Sequence, residues 1–184
     1  MKRLYSYIIF VLFLNITIVN AKDRDEWQKI SNSFYSLEVP PEWRPCDGSP
    51  EMIPGERNAK GFKIHFLAWW KPSTYEERNK TIGLDIQSYA RPDGNPVSLS
   101  EMEKLIFINV DKDIISDSKT EKIYSVVRKS KEMDGSTKAY RYIYVLSEKD
   151  GMVHVLNIST SDSYYQSSSD VRRIIKRIMD SFDL

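Results

Sequence analysis

The sequence predicts an α+β fold, in which an antiparallel β-sheet carries helices packed on it. Three β-rich runs between Lys122 and Ser159 are separated by Asp134-Gly135 and Asp150-Gly151, and Asp-Gly between alternating strands favours hairpin turns. Near the C-terminus apolar residues recur at helical spacing, which predicts an amphipathic helix lying on the sheet. These two patterns, together with shorter β-rich runs upstream, define the fold class.

The first 21 residues have the pattern of an export signal. Two basic residues precede the apolar run 8–14, and Val19-Asn20-Ala21 supplies a cleavage site before Lys22. The alternative is an uncleaved membrane anchor, which is disfavoured because a spanning helix needs about 20 apolar residues. We therefore expect a signal peptide at 1–21 and a single domain at 22–184.

Cys46 is the only cysteine, and its position limits what the exported chain can be. A lipoprotein carries its cysteine at the signal junction, whereas Cys46 lies far downstream. A lone cysteine also excludes an internal disulfide, so Cys46 is either an incidental thiol or pairs with another chain. We expect a periplasmic or extracellular protein with no stable membrane anchor after signal cleavage.

The charge balance disfavours binding to nucleic acid. The formal net charge is +1, and loss of Lys2 and Arg3 with the signal changes it to −1. A near-neutral domain exerts no general attraction on phosphate backbones or anionic lipid.

The first half of the domain is predicted to contain three strands. Alternation over Phe34–Val39 predicts the first, which Pro40-Pro41 ends, and dense apolar runs predict strands at Phe62–Trp70 and Leu84–Arg91. The intervening segment Arg44–Gly61 contains three prolines and three glycines, which predicts a long irregular loop.

Two helices are predicted. A capping box at Ser98–Glu101 begins the first, which we expect to run to about Ile114. The second begins near Ser167 and Asp170. Its apolar stripe consists of Val171, Ile174, Ile175, Ile178 and Phe182. The helices could share one face of the sheet or cover opposite faces, and apolar residues of both parities in the meander favour a sheet covered on both sides.

The segment Phe34-Tyr35-Ser36-Leu37-Glu38-Val39-Pro40-Pro41-Glu42-Trp43 resembles the opening strand of PsbP-like and DcrB-like domains. The helix at Ser98, the meander and a final helix ending Asp180-Ser181-Phe182 are also similar, so the resemblance covers nearly all of the mature chain. It implies an α/β/α sandwich that serves mainly as a non-catalytic module. Members include an extrinsic subunit of the oxygen-evolving complex, a Ran-binding import factor and envelope lipoproteins. No catalytic residues are implied.

The sequence has few residues suited to catalysis. It contains no nucleophile elbow, no phosphate-binding glycine loop and no Cys-x-x-Cys. His65 and His154 both fall in predicted strands, where a structural role is favoured. An exported hydrolase with a site around either histidine remains an alternative. Asp111, Asp113 and Asp117 do not meet the spacing of a calcium loop. We predict no metal, no cofactor and no enzymatic activity.

Aromatic residues of one strand are the candidate partner-binding residues. Tyr140, Tyr142 and Tyr144 share one parity and therefore one face. If a helix covers that face, the rings belong to the core; if the face is open, they form a binding surface. Trp69 and Cys46 complete the candidate set. The predicted function is therefore an exported accessory protein of the cell envelope that binds an unidentified protein, with small-ligand binding as a further alternative.

Overall fold

The computed structural model describes residues 26–31, 33–45, 55–59, 61–70, 80–132 and 134–184. For residues 45, 55–59 and 65–70 it describes the backbone alone. The predicted signal peptide and Cys46 lie outside the described residues.

Strands make up most of the described chain. In chain order the elements are β1 (Gln28–Ser31), β2 (Ser36–Val39), β3 (Arg44–Pro45), β4 (Gly55–Ala59), β5 (Phe62–Trp70), β6 (Ile82–Ala90), α1 (Leu99–Ile106), β7 (Asp113–Asp117), β8 (Glu121–Lys131), β9 (Thr137–Lys149), β10 (Met152–Ser161), α2 (Asp162–Ser167) and α3 (Ser169–Ser181).

An eight-stranded antiparallel sheet forms the centre of the molecule. Its strand order is β3-β5-β6-β10-β9-β8-β7, with β4 also paired to β5, and β1 and β2 form a separate hairpin. The predicted meander is β8-β9-β10. Between β9 and β10 the turn is Asp150-Gly151, whose φ angles of 53° and 75° are those of a tight hairpin. The predicted α+β class is therefore confirmed.

Each face of the sheet has its own core. On the α3 face, α3 and the β1-β2 hairpin bury alternate residues of the sheet, among them Ile86, Ile143 and Leu156. On the α1 face, α1 and the loop after it bury residues of the opposite parity, such as Tyr144 and Leu146. The two long helices thus cover opposite faces, in agreement with the apolar character of both parities.

The first helix is shorter than predicted. Ser98 caps it, with Oγ accepting from the backbone N–H of Glu101 at 3.3 Å. It ends at Ile106 rather than near Ile114, because Phe107 leaves the helical conformation and packs against Tyr124, with ring centroids 4.8 Å apart. Residues 113–117 pair with β8 instead. Packing and strand pairing have overridden the helical pattern.

The predicted loop Arg44–Gly61 is wrong over two stretches. Arg44–Pro45 pairs with Trp69 and Trp70, and Gly55–Ala59 pairs with Phe62–Phe66. Both stretches form backbone hydrogen bonds with β5. The pattern of prolines and glycines gives no indication of this pairing.

The C-terminal helix forms as predicted, and a short helix that was not predicted precedes it. Ser168 caps α3 one residue after the predicted start, and Val171, Ile175 and Ile178 are buried. The short helix α2 begins directly after β10, with Ser161 as its cap.

Candidate functional site

The three tyrosines of β9 pass from core to surface along the strand. Tyr144 is buried, and Phe107 packs edge-on against it with ring centroids 5.1 Å apart. Tyr142 stacks on Tyr144 at 6.3 Å and is only partly buried. Phe107 is the residue directly after α1, and it contacts Tyr144. The part of the strand that α1 covers therefore ends at Tyr144. Tyr144 is therefore a core residue, whereas Tyr142 lies at the margin of the covered region.

Polar partners accompany the two outer rings. The guanidinium of Arg128 lies 5.6 Å from the ring centroid of Tyr142. The hydroxyl of Tyr140 donates to Glu132 Oε1 at 2.9 Å. These contacts leave the rings at the margin of the α1 face, where a partner could reach Tyr142.

His154 and Ser88 form a buried pair on the α3 face. They lie directly opposite one another on β10 and β6, and His154 Nδ1 is 2.8 Å from Ser88 Oγ. Their exposed fractions are 2% for His154 and 0% for Ser88. On β5 the backbone of His65 lies opposite the same serine. The register thus brings the two histidines of the sequence to one row of the sheet, although the ring of His65 lies outside the described residues.

A cavity of about 450 Å³ reaches His154. Phe34, Lys149 and Asp183 are among its lining residues, whereas Ser88 is not. This cavity therefore reaches the imidazole and not the serine hydroxyl. A serine nucleophile must face its substrate with the histidine beside it, so this pair is arranged the wrong way round for acyl transfer.

The electrostatics of His154 agree with a structural role. Burial, with a smaller contribution from the nearby Lys149, lowers the pKa of His154 to about 4. The ring is therefore neutral near pH 7. Within the described residues no carboxylate bonds to it, and Glu121, two strands away in the same row, accepts from Ser147 Oγ at 3.2 Å.

A second polar cluster on the α1 face had no signal in the sequence. Asp85 accepts from Gln87 Nε2 at 3.0 Å and from Asn157 Nδ2 at 2.7 Å. The hydroxyl of Tyr89 donates to Gln87 Oε1 at 2.6 Å. Burial raises the pKa of Asp85, and burial together with the Asp85 charge raises the pKa of Tyr89 to about 12. The strand register assembles this cluster, because Asp85 and Asn157 are direct cross-strand partners.

The large apolar residues that are exposed in the described chain lie in β7, in β8 and in the loop before β7. They are Ile108 (63% exposed), Ile114 (61%), Ile115 (53%) and Val127 (42%). Ile114 pairs with Tyr124, whereas Ile115 is the extra residue at an irregularity in the β7–β8 register, and the side chains of both are exposed. We name this group, with Arg128, Lys129 and Lys131 of β8, the edge surface. The sequence did not indicate this exposed edge, because the same isoleucines fit the end of a predicted helix.

The basic side chains of α3 form ion pairs or hydrogen bonds within the chain. Arg177 contacts Glu38 at 3.0 Å and lies over the Trp27 ring at 4.1 Å. Lys176 pairs with Asp180 at 2.7 Å, and Arg173 pairs with Asp170 at 2.9 Å. Arg172 donates to backbone carbonyls of α2. This basic face is therefore a solvated helix surface with local partners.

Other features of the described residues bear on the remaining expectations. No group of three or more His, Cys, Asp or Glu residues is placed to hold a metal ion within that part of the chain. No helix there is both long and apolar enough to cross a membrane. The indole of Trp69 and all of Cys46 lie outside the described residues; the Trp69 backbone pairs with Leu84.

No family model and no curated protein matches the chain. Among solved structures, a protein of Bacteroides thetaiotaomicron is similar with a TM-score of 0.51 and 9% identity over 85% of this chain. The match covers 47% of that protein, so the chain spans about half its length.

The Ran-binding protein Mog1p of Saccharomyces cerevisiae is also similar. Its TM-score is 0.51 and its identity 11%, over 85% of this chain and 94% of Mog1p. Cyanobacterial PsbP from Synechocystis has a TM-score of 0.48 and 12% identity, over 86% and 92% of the two chains. At such identities a likeness shows the fold alone. The chain has the fold of the PsbP/Mog1 proteins, and the resemblance found in the sequence is confirmed at that level.

Proposed function

We propose that the protein is an exported, non-catalytic binding protein of the cell envelope, and that it contacts a protein partner through the edge surface. The observation that carries the proposal is the exposure of Ile114 and Ile115 in β7 and of Val127 in β8, with Ile108 exposed in the loop before β7. Exposed apolar residues on a sheet edge mark interaction sites or aggregation liabilities. Tyr142, partly buried beside the same edge, extends the surface toward the candidate tyrosines.

Two further observations support a binding role. Mog1p, which has this fold, is a Ran-binding protein, so the fold is compatible with protein recognition. The burial of both His154 and Ser88 argues against the alternative of a serine hydrolase. Export and envelope location rest on the signal pattern of residues 1–21.

Site-specific photo-crosslinking in intact cells tests the proposal. A photoreactive amino acid is placed at Ile115 or at Val127, and a matched control is placed at Arg173 on the exposed face of α3. We expect one abundant protein adduct from the two edge positions and none from the control. Adding Ile114→Ser should abolish the Val127 adduct while the circular dichroism spectrum is unchanged. Equal adducts at all three positions, or none at the edge, would contradict the proposal.

The cavity beside His154 supports a second candidate, the binding of a small ligand. Its volume of about 450 Å³ and its mixed lining of Phe34, Lys149 and Asp183 suit a small polar molecule. A thermal-shift screen of metabolites checks it, with Lys149→Ala as the variant expected to lose any stabilisation. If no compound raises the melting temperature of the wild-type protein, this candidate is wrong.

A further inference from the structure

Strand β8 is longer than the strand that covers its outer edge. It pairs with β9 from Glu121 to Lys131, whereas β7 pairs with it only from Lys122 to Ser125. Along Val126–Lys131 the outer edge therefore has no strand beside it in the described part of the chain. In an antiparallel strand every second residue points its N–H and C=O toward a given side. About three donors and three acceptors of this segment consequently face outward.

The uncovered segment has room for a short extended chain. Six residues in a strand span roughly 20 Å. Side chains from Val127 to Lys131 are all exposed, so neither face of the strand is covered by another element. A peptide strand here would lie end to end with β7, and its apolar residues could contact Ile114 and Val127.

The charge of the segment is positive. It carries Arg128, Lys129 and Lys131, and among the described residues neither lysine forms an ion pair. Lysines on a sheet edge also discourage aggregation. Protection against aggregation does not explain why the apolar residues Ile114, Ile115 and Val127 are exposed near these lysines. Basic and apolar residues together suit a partner strand that is acidic and apolar.

A second copy of this chain fits the edge poorly. Antiparallel pairing of two copies about the centre of Val126–Lys131 would place Arg128 opposite Lys129 of the other copy. Like charges directly opposite one another destabilise a strand pair.

We propose that β8 binds an extended, acidic and apolar segment of a protein partner by β-strand addition along Val126–Lys131. The partner strand hydrogen-bonds the outward backbone groups, and its carboxylates lie near Arg128, Lys129 and Lys131. The inference rests on the proposed function and specifies the chemistry of its partner.

Nuclear magnetic resonance titration of the full mature chain tests this inference. The probes are two eight-residue peptides, one alternating glutamate with valine and the other alternating lysine with valine. We expect the acidic peptide to shift amide signals confined to Val126–Lys131 and β7, and to bind at least about tenfold more tightly than the basic one at low salt. N-methylation of alternate amides in the acidic peptide should abolish the shifts, because strand addition needs its backbone donors.

Charge reversal supplies the matched variant. Lys129→Glu combined with Lys131→Glu, both at exposed positions, should reverse the peptide preference without changing the circular dichroism spectrum. Equal binding of both peptides, shifts elsewhere on the molecule, or full binding of the N-methylated peptide would overturn the inference. Concentration-dependent dimerisation through these amides would also overturn it, in favour of a second copy.

The crosslinking experiment separates the two proposals. An adduct at Val127 that survives the double charge reversal would leave the proposed function standing and refute strand addition by an acidic segment. Acidic peptide binding at β8 without any adduct in cells would support strand addition and refute the proposed cellular role.

Discussion

His154 Nδ1 lies 2.8 Å from Ser88 Oγ, and the two residues stand directly opposite each other on neighbouring strands. The imidazole ring of His154, with an exposed fraction of 2%, has Ser88 as its polar partner within the core. The pair satisfies two polar groups inside the α3-face core, and burial keeps the imidazole neutral near pH 7.

The first prediction concerns the pH dependence of stability. The folded-state pKa of His154 is about 4, below the ordinary value of 6.5. Between these values the unfolded chain binds the proton and the folded chain does not, so stability falls as the pH falls from 6.5 to 4. The loss from this residue between pH 7 and 4 is about 3 kcal/mol. Urea unfolding from pH 4 to 7 measures it, and His154→Gln should flatten the profile. Ser130→Ala, at an exposed position without a titratable side chain, is the control that should leave the slope in this range unchanged.

The second prediction separates a structural pair from a catalytic one. Ser88→Ala removes the hydrogen bond to His154 and should lower the free energy of unfolding by about 1 kcal/mol. Because the cavity reaches the imidazole and not the serine, we expect no hydrolysis of short ester substrates by the wild-type protein. Ester turnover that both Ser88→Ala and His154→Gln abolish would show instead that the pair is an active site.

The third prediction concerns Asp85. Burial raises its folded-state pKa above the ordinary 3.8, so its ionised form is disfavoured and stability falls as the pH rises through that interval. Asp85→Asn should therefore increase stability at pH 7, by about 1 kcal/mol or less because one acceptor is lost. Asp134→Asn should have the opposite sign, since hydrogen bonds from Ser136 lower the pKa of Asp134. Thermal unfolding at pH 7 compares them, and destabilisation by Asp85→Asn would refute the interpretation.

The fourth prediction tests how α3 is held to the sheet. Ile178 is fully buried in the α3-face core, and Ile178→Ala should cost about 3 kcal/mol through lost burial and the cavity left behind. Arg173→Ala on the solvent face should change stability by less than about 0.5 kcal/mol. Similar unfolding midpoints for both variants would show that the stripe does not anchor the helix.

Local patterns predicted the meander and α3 because each is specified within a short stretch of chain. Alternation and Asp-Gly define the hairpin at Asp150-Gly151, and the apolar stripe from Val171 defines a helix that must lie on a surface. The end of α1 and the strand β4 were not predicted. Both depend on partners far along the chain: Phe107 contacts Tyr124 and Tyr144, and Gly55–Ala59 completes an edge of β5.

By itself the sequence determined the fold class, the meander, the amphipathic final helix and the tyrosines that share one face. Only the tertiary structure decided which tyrosine is core and which is surface, because the cover comes from Phe107, outside the strand that carries them. It alone joined His154 to Ser88, 66 residues apart, and placed Ile114 and Ile115 on an open edge. Periodicity specifies which face a residue takes, whereas packing against distant segments specifies whether that face meets protein or solvent.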